Sequence, residues 1–252
     1  MKARACLASL AFLAAAGVAV AEEPAAPKAG FDEAETQAIE EIVKQYLLDN
    51  PEILLQSLRS LEERERLAQI EAQRAAVRAN REALNRDPAS PVLGNPEGDV
   101  TVVEFFDYRC PYCRRVTADL MDTVEKDGAI RLVFKEFPIL GPESVVAARA
   151  ALAAGLQERY RDFHIALMTA PGELTEDRVL SLAEGMGLDV ERLQADMQSE
   201  AVEQQIRDNH GLARQLQING TPAFVIGDEV VPGALTMPQL LDMISRERAK
   251  TG

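Results

Sequence analysis

A chain of 252 residues that is 47% hydrophobic and 27% charged holds enough apolar material for one or two packed domains. Its formal net charge is −14, with 27 basic residues scattered among 41 acidic ones and gathered into no patch, which argues against nucleic-acid backbones and anionic membrane surfaces as partners.

The first residues, MKARACLASLAFLAAAGVAVAEE, place Lys2 and Arg4 before an apolar run from Leu7 to Val20 and end in Ala19-Val20-Ala21. This is the pattern of a secretory signal cut after Ala21. The run falls short of the ~20 apolar residues that a spanning helix needs. Cleavage removes Lys2, Arg4 and Cys6, leaving 25 basic against 41 acidic residues, a mature charge of −16, and two cysteines, Cys110 and Cys113. An exported protein meets an oxidising compartment.

Residues 22–30, EEPAAPKAG, have the composition of a disordered tail. From Phe31 the pattern is helical, with Ile39, Ile42, Val43, Tyr46 and Leu47 on one face. Asn50-Pro51-Glu52 predicts a break and restart, with Asn50 as a cap and Pro51 in the first turn of a second helix reaching about Arg86. In that helix Leu54, Leu61, Ala68 and Ala75 are seven apart, and so are Ile70, Val77 and Leu84. Such a repeat seeks a partner helix, often in another subunit, although Glu65 falls on the seam and the stripe shifts after it. The alternative is a solvated helix lying along its own domain.

Asp87-Pro88-Ala89-Ser90-Pro91 reads as a linker. The expected division is therefore a signal over 1–21, a helical oligomerisation region over 22–87 and an α/β domain over 88–252. Within the last, VTVVEFF (100–106) and AIRLVFKEF (129–137) predict strands with a helix, VTADLMDTVEKD, between them. Residues 143–217 predict a helical insertion with caps at Thr175 and Asp189. INGTPAFVIGDEVVPG then gives a strand, a Gly227-Asp228 turn and a returning strand. A last helix begins near Thr236, with Pro238 in its first turn.

Cys110-Pro111-Tyr112-Cys113 stands where the first strand meets its helix, the context of a thioredoxin-like redox motif. With Cys110 at the helix N-terminus, free N–H groups and the helix dipole favour its thiolate, so its pKa is expected below the ordinary ~8.5. Cys113, one turn on, is then placed to resolve a mixed disulfide. A structural disulfide closing so short a loop would restrain the unfolded chain little. A closed zinc site needs four ligands, and the only histidines, His164 and His210, are not spaced as finger ligands; no metal site is expected. Two soft thiolates could take copper(I), without specificity. Glu104 and Lys135 interrupt core strands; if the strands are neighbours these two side chains could meet beneath the dithiol, with the acid taking the Cys113 proton, or either could face solvent. Pro222, at a strand entrance after Thr221, is a candidate cis proline.

The motifs EFFDYRCPYC, KEFP and GTPAFVIGD together resemble the DsbA-like thiol oxidoreductases from about Pro91 onward. The resemblance implies an α/β thioredoxin fold with an inserted helical domain. It implies Cys110 as nucleophile, Cys113 as resolving thiol, Glu104 as the buried acid, Lys135 as its partner, and, before cis-Pro222, Thr221, the backbone of which pairs with a bound peptide. A signal sequence and a helical extension containing QYLLDNPEILLQSL narrow the similarity to the suppressor-of-copper-sensitivity C group, as do Pro111-Tyr112 and Thr221, where the strong-oxidant branch has Pro-His and valine. That group is periplasmic, self-associates through its N-terminal helices, in known cases as trimers, and can act as disulfide isomerases.

The leading expectation is an oligomeric disulfide isomerase or reductase acting on exported cysteine-containing proteins, kept reduced by a membrane electron-donor thiol reductase. It needs no cofactor beyond its own redox-active dithiol. A monomeric dithiol oxidase would use the same cysteines. A holdase or copper(I)-sequestering protein would not need Cys110 for its activity.

Overall fold

The computed structural model describes residues 30–251; the expected signal sequence, Cys6 and the tail up to residue 29 lie outside the described residues. The chain divides into two compact units, one ending at Glu62 and one beginning at Glu63.

In the first unit, Asp32 and Glu35 close a capping box, each side chain accepting the other's backbone N–H at 2.8 and 3.0 Å, and so start α1 (Glu33–Asp49). Asn50 ends α1: its backbone N–H and its side-chain amide both donate to the Tyr46 carbonyl, at 2.9 and 2.8 Å. Its side chain thus closes the helix behind it and does not cap the one ahead, contrary to the sequence expectation. α2 (Pro51–Ala79) restarts at once, with Pro51 in the first turn where no N–H is needed. No residue of α1 is buried, and Ile42 and Leu48 are 68% and 66% exposed.

The second unit takes in the remainder of α2. Gln73 donates to the Leu216 carbonyl at 2.9 Å, and Val77 is buried. The helix expected to reach Arg86 breaks at Asn80, whose amide turns back onto the Ala76 carbonyl at 2.9 Å; a separate short α3 (Arg81–Asn85) follows and buries Leu84. The two heptad rows therefore differ in fate. Leu54 and Leu61 are about half exposed, whereas Val77 and Leu84 pack into the catalytic domain. This is why the stripe shifts after Glu65. It also moves the division from the expected linker near Asp87 to Glu62/Glu63.

The catalytic domain then runs β1 (Val92–Gly94), β2 (Val100–Phe106), α4 (Pro111–Asp127), β3 (Ile130–Glu136), five helices α5 (Pro142–Gly155), α6 (Tyr160–Thr169), α7 (Glu176–Gly185), α8 (Val190–Met197) and α9 (Glu200–Gln215), then β4 (Ala223–Ile226), β5 (Glu229–Pro232) and α10 (Met237–Thr251). The expected order of strand, helix, strand, helical insertion, strand, hairpin strand and helix is all present, and Thr175 and Asp189 cap α7 and α8. The three-residue edge strand β1 was not expected. The sheet order is β1-β3-β2-β4-β5, with β2 and β3 parallel and the other pairs antiparallel. This is a thioredoxin fold carrying a helical insertion.

Strand alternation sends side chains to two separate cores. Val102, Phe106, Leu132 and Phe134 pack on the face with α4 and the insertion, and Val103, Phe105 and Val133 pack on the face with Val77, Leu84 and Leu216. The register pairs Glu104 with Phe134, and Phe105 with Lys135. Glu104 and Lys135 thus lie on neighbouring strands but point to opposite faces. They do not meet beneath the dithiol, and the partnership implied by the resemblance is corrected on this point.

Lys135 has other partners. Its buried ammonium donates to the Ala83 carbonyl at 2.7 Å, to Asp87 Oδ2 at 2.9 Å and to Ser90 Oγ at 2.6 Å. Ala83 lies in α3, and Asp87 and Ser90 on the segment joining α3 to β1, so Lys135 fastens both to the back of the sheet. Burial pushes the Asp87 carboxyl up, but its hydrogen bonds from Ser90 and Lys135 outweigh this and hold it below its ordinary range. Lys135→Met leaves Asp87 without its cation and the Ala83 carbonyl without its donor. Urea unfolding is expected to show a loss of about 1–3 kcal/mol, less than for a fully buried pair because the Asp87 side chain is a quarter exposed, while the Cys110 thiolate titration stays in place. A shifted titration with unchanged stability would restore the redox-tuning role.

Candidate active site

β2 delivers the site. The strand ends at Phe106, three loop residues follow, and Cys110 takes up the N-cap position of α4 with extended φ −70° and ψ 116°. Pro111 opens the helix, which needs no N–H there. Cys113, one turn later, faces the core and is fully buried. Neither of the two cysteines is in a disulfide. Only 3% of Cys110 is exposed, and its sulfur lies 3.2 Å from the Thr221 carbonyl, to which it donates only when protonated. The Thr221–Pro222 peptide bond is cis. Thr221 and Pro222, distant in sequence, are thus brought to the nucleophile, as expected from the motif.

The electrostatics separate the two sulfurs. Cys110 is brought down to about 5, chiefly by the hydrogen bond that the Cys113 thiol donates to it, against the opposing effect of burial; the Thr221 side chain and the backbone N–H groups of Cys113 and Tyr112 assist. The helix-terminal N–H groups expected from the sequence do contribute, but the second cysteine outweighs them. Cys113 is driven far upward by burial, by the bond it gives to Cys110 and by the charge of Glu104. At neutral pH one sulfur is a thiolate and the other a thiol, which is the division of labour that exchange requires.

Glu104 stands on the same sheet face as Cys113, between Phe134 on β3 and Phe224 on β4. Burial, and then the Cys110 charge, raise its pKa to about 8, and its Oε1 has no hydrogen-bond partner. It is a carboxyl able to hold a proton at neutral pH. Tyr112 is 54% exposed, with the Arg115 guanidinium 5.2 Å from its ring centroid.

Sequence reading missed two clusters here. Asp107 is buried and accepts four hydrogen bonds, from Arg109 N, Ile139 N, Leu140 N and Ser144 Oγ. Tyr108, Glu136, Tyr160 and His164 form a second network: the Tyr108 and Tyr160 hydroxyls donate to Glu136 Oε1 at 3.0 and 2.9 Å, and His164 Nδ1 lies 3.0 Å from the Tyr108 hydroxyl. Burial holds His164 near 3, hence neutral, and pushes Glu136 well up. The clue to Glu136 was parity: in FKEF adjacent charges must face opposite sides of a strand. His210 lies away from this network, 4.9 Å from the Phe137 ring on the back face. Among the described residues no three potential ligands converge on a metal position.

Comparison with known proteins agrees with this geometry. Residues 101–245 match the DSBA-like thioredoxin domain, and residues 35–68 match the copper resistance protein ScsC N-terminal domain. A thioredoxin-like oxidoreductase from Silicibacter pomeroyi DSS-3 is 51% identical, with a TM-score of 0.66 over 69% of this chain and 99% of that one. A linker-deletion mutant of Proteus mirabilis ScsC is 27% identical, with a TM-score of 0.66 over 88% of this chain and 99% of that one. Disulfide bond formation protein D of Bacillus subtilis is 26% identical over 62% of this chain and 76% of that protein. The chain spans only a quarter of another curated relative, the Na(+)/H(+) antiporter NhaA 1 of Salinispora arenicola, to which it is 30% identical over 64% of its own length. The thioredoxin sheet with its helical insertion, the CPYC dithiol and the matched domain, which covers more than half of the sequence, together make this chain a member of the DSBA-like thioredoxin domain family, a thiol–disulfide oxidoreductase preceded by a ScsC-type N-terminal domain.

Proposed function

We propose that the protein works in the periplasm as an oligomeric disulfide isomerase or reductase on exported proteins. The Cys110 thiolate attacks one sulfur of a substrate disulfide, the S–S bond breaks, and the other sulfur leaves as a thiolate. In the isomerase mode a second substrate thiolate then displaces Cys110, with no net change in redox state. In the reductase mode the mixed disulfide removes the Cys110 charge that helps keep Glu104 protonated; in its ionised form Glu104 takes the Cys113 proton, and Cys113 attacks the Cys110 sulfur. The substrate leaves reduced, Cys110–Cys113 is oxidised, and a membrane thiol reductase returns two electrons. The protein requires no cofactor beyond the dithiol. Thr221 and Pro222 offer the edge along which an extended substrate lies.

The observation that carries the isomerase reading is the open apolar face of the N-terminal unit. Ile42, Val43, Tyr46, Leu54, Leu58 and Leu61 are each 46–68% exposed in the single chain. Apolar area of this extent on a soluble protein calls for a partner, and a second and third copy of the same helices supply one, so we favour a trimer.

The test compares the mature protein with a version beginning near Glu63. That start retains Val77 and Leu84, which a start at Asp87 would remove from the core. Light scattering should give an oligomer for the first and a monomer for the second. Only the oligomer should reactivate scrambled ribonuclease, while both should oxidise dithiols. Two monomers with equal, oxidase-only activity would leave the monomeric oxidase as the function.

A further inference from the structure

Asn219 and Gly220 stand in the loop between α9 and β4, directly before Thr221, whose carbonyl faces the Cys110 sulfur at 3.2 Å. The side chain of an asparagine is open to attack by the backbone nitrogen of the residue that follows it. The attack takes a nitrogen with a proton to lose, no side chain in the way and no hydrogen bond holding the N–H. Of the six asparagines in the chain, Asn50 and Asn95 precede prolines, which carry no N–H, and Asn80, Asn85 and Asn209 precede Arg81, Arg86 and His210. Asn219 is the one that precedes a glycine.

The loop leaves this pair uncovered. Both residues are exposed, and the Gly220 N–H donates to no group among the described residues. A Cβ on Gly220 would meet nothing within 4 Å. The Asn219 amide gives one long hydrogen bond, from Nδ2 to the Gln217 carbonyl at 3.3 Å, and its Oδ1 accepts none among the described residues. The chain's Asp-Gly pair, open in principle to the same ring closure, is guarded instead: the Gly128 N–H is taken by the Val124 carbonyl at 3.2 Å, and the Asp127 carboxylate by Arg248 at 2.6 and 2.9 Å. The Asn219 loop is also too short to absorb a change. Ile218 is buried with its N–H on the Ala213 carbonyl at 2.8 Å, and Pro222 is buried with its carbonyl accepting from Gly233 N at 2.8 Å. Whatever is added to the main chain between them is passed on to Thr221.

We propose that Asn219–Gly220 is a self-modification site, at which the Thr221 edge of the dithiol site is rebuilt as the molecule ages. Solvent hydroxide takes the Gly220 amide proton, and the nitrogen attacks the Asn219 side-chain carbonyl carbon. The new N–C bond closes a succinimide ring, the Cγ–Nδ2 bond breaks, and ammonia leaves with a proton from water. Water then opens the ring. Opening at the side-chain carbonyl restores the main chain with aspartate at position 219. Opening at the main-chain carbonyl leaves isoaspartate, with the chain running through the former side chain and one methylene longer. Nothing is oxidised or reduced. Either product adds a negative charge two residues from Thr221, and isoaspartate also shifts Thr221 itself, which helps hold the Cys110 thiolate. The same shift disturbs the backbone edge along which an extended substrate lies. That consequence, unlike the ring closure, rests on the exchange reading above.

The test ages the full mature protein, reduced, in warm and mildly alkaline buffer, beside a synthetic peptide of residues 214–225 that has the same sequence and no fold. Peptide mass, which rises by the exchange of an amide for an acid, and labelling by an isoaspartyl methyltransferase read the conversion without reference to activity. Asn219 is expected to convert at a rate close to that of the free peptide, while the other asparagines stay intact. Gly220→Ala, whose methyl group has room, should slow the conversion severalfold. The aged protein should show a raised KM for a cysteine peptide held as a mixed disulfide with glutathione, and a Cys110 thiolate titration moved upward. Asn219→Asp, which carries the charge without the longer chain, should show the smaller part of both shifts, and aged Asn219→Gln should show neither. An Asn219 that outlasts the free peptide manyfold overturns the site. Conversion that leaves KM and the titration where they were overturns its effect on the Thr221 edge. A fresh protein that does not react with the mixed disulfide overturns the exchange reading, and the mass readout then still decides whether the loop modifies itself.

Discussion

Cys110→Ala is expected to abolish both reduction and isomerisation of protein disulfides and to remove the thiolate absorbance that titrates near pH 5. The geometry leaves no substitute, because the other sulfur is fully buried and its pKa is driven upward. Cys113→Ala should behave differently. Attack by Cys110 survives and the protein accumulates as a mixed disulfide with its substrate, detectable by mass. The same substitution removes the largest contributor to the Cys110 thiolate, the Cys113 hydrogen bond. The titration midpoint should therefore climb from about 5 toward the ordinary ~8.5, held back only by Thr221 and the backbone N–H groups. A Cys113→Ala protein whose midpoint stays near 5 would assign the thiolate to the helix terminus instead. Retained exchange in Cys110→Ala would overturn the assignment of the site.

How much of this could be read from the residues depends on the range of each interaction. The dithiol, its strand-to-helix position, Pro222 and the insertion were legible because they rest on local signals: a two-residue spacing, a proline at a helix start, strand patterns and capping residues. Asn50 was misread because an amide can close the helix behind as well as open the one ahead, and the choice depends on a single Tyr46 carbonyl. The position of the unit division was not legible. Whether Val77 and Leu84 seek another subunit or their own sheet is decided by the back-face core, which is built from Phe105, Leu216 and Ile218, far away in sequence. The pairing of Glu104 with Lys135 failed on register. Two charges in neighbouring parallel strands meet only if they share parity, and here the register sets Glu104 against Phe134. Asp107 had no signal in the sequence, since three of its four donors lie more than thirty residues downstream.

Glu104→Gln should slow the resolving step by about 100-fold, the lower end of what a positioned proton acceptor contributes, measured as release of peptide from a preformed mixed disulfide with Cys110. It should also expose a pH dependence that the wild type conceals. Cys110 titrates near 5 when folded and near ~8.5 when unfolded. Between those values the unfolded chain holds a proton that the folded one lacks, so stability of the reduced protein rises with pH, by at most about 1.4 kcal/mol per unit. The gain is complete above the unfolded value and lost as pH falls through 5. Glu104 acts in the opposite sense. Its folded pKa of about 8 lies above the unfolded ~4.3, so over that interval the folded chain holds the extra proton and stability falls as pH rises. From about pH 5 to 8 the two slopes nearly cancel in the reduced wild type. In Glu104→Gln only the Cys110 slope remains, and urea unfolding at pH 5, 6.5 and 8 should show the reduced variant growing steadily more stable. In the wild-type disulfide form the thiolate is gone and only the Glu104 slope survives, so that form should lose stability over the lower part of the same range. Against an ordinary dithiol, which takes up two protons on reduction where this site takes up about one, raising the pH should therefore strengthen the disulfide as an oxidant and keep the reduced nucleophile available for isomerisation. A reduced wild type whose stability climbs steeply with pH, with no further change in Glu104→Gln, would remove Glu104 from the proton balance of the site.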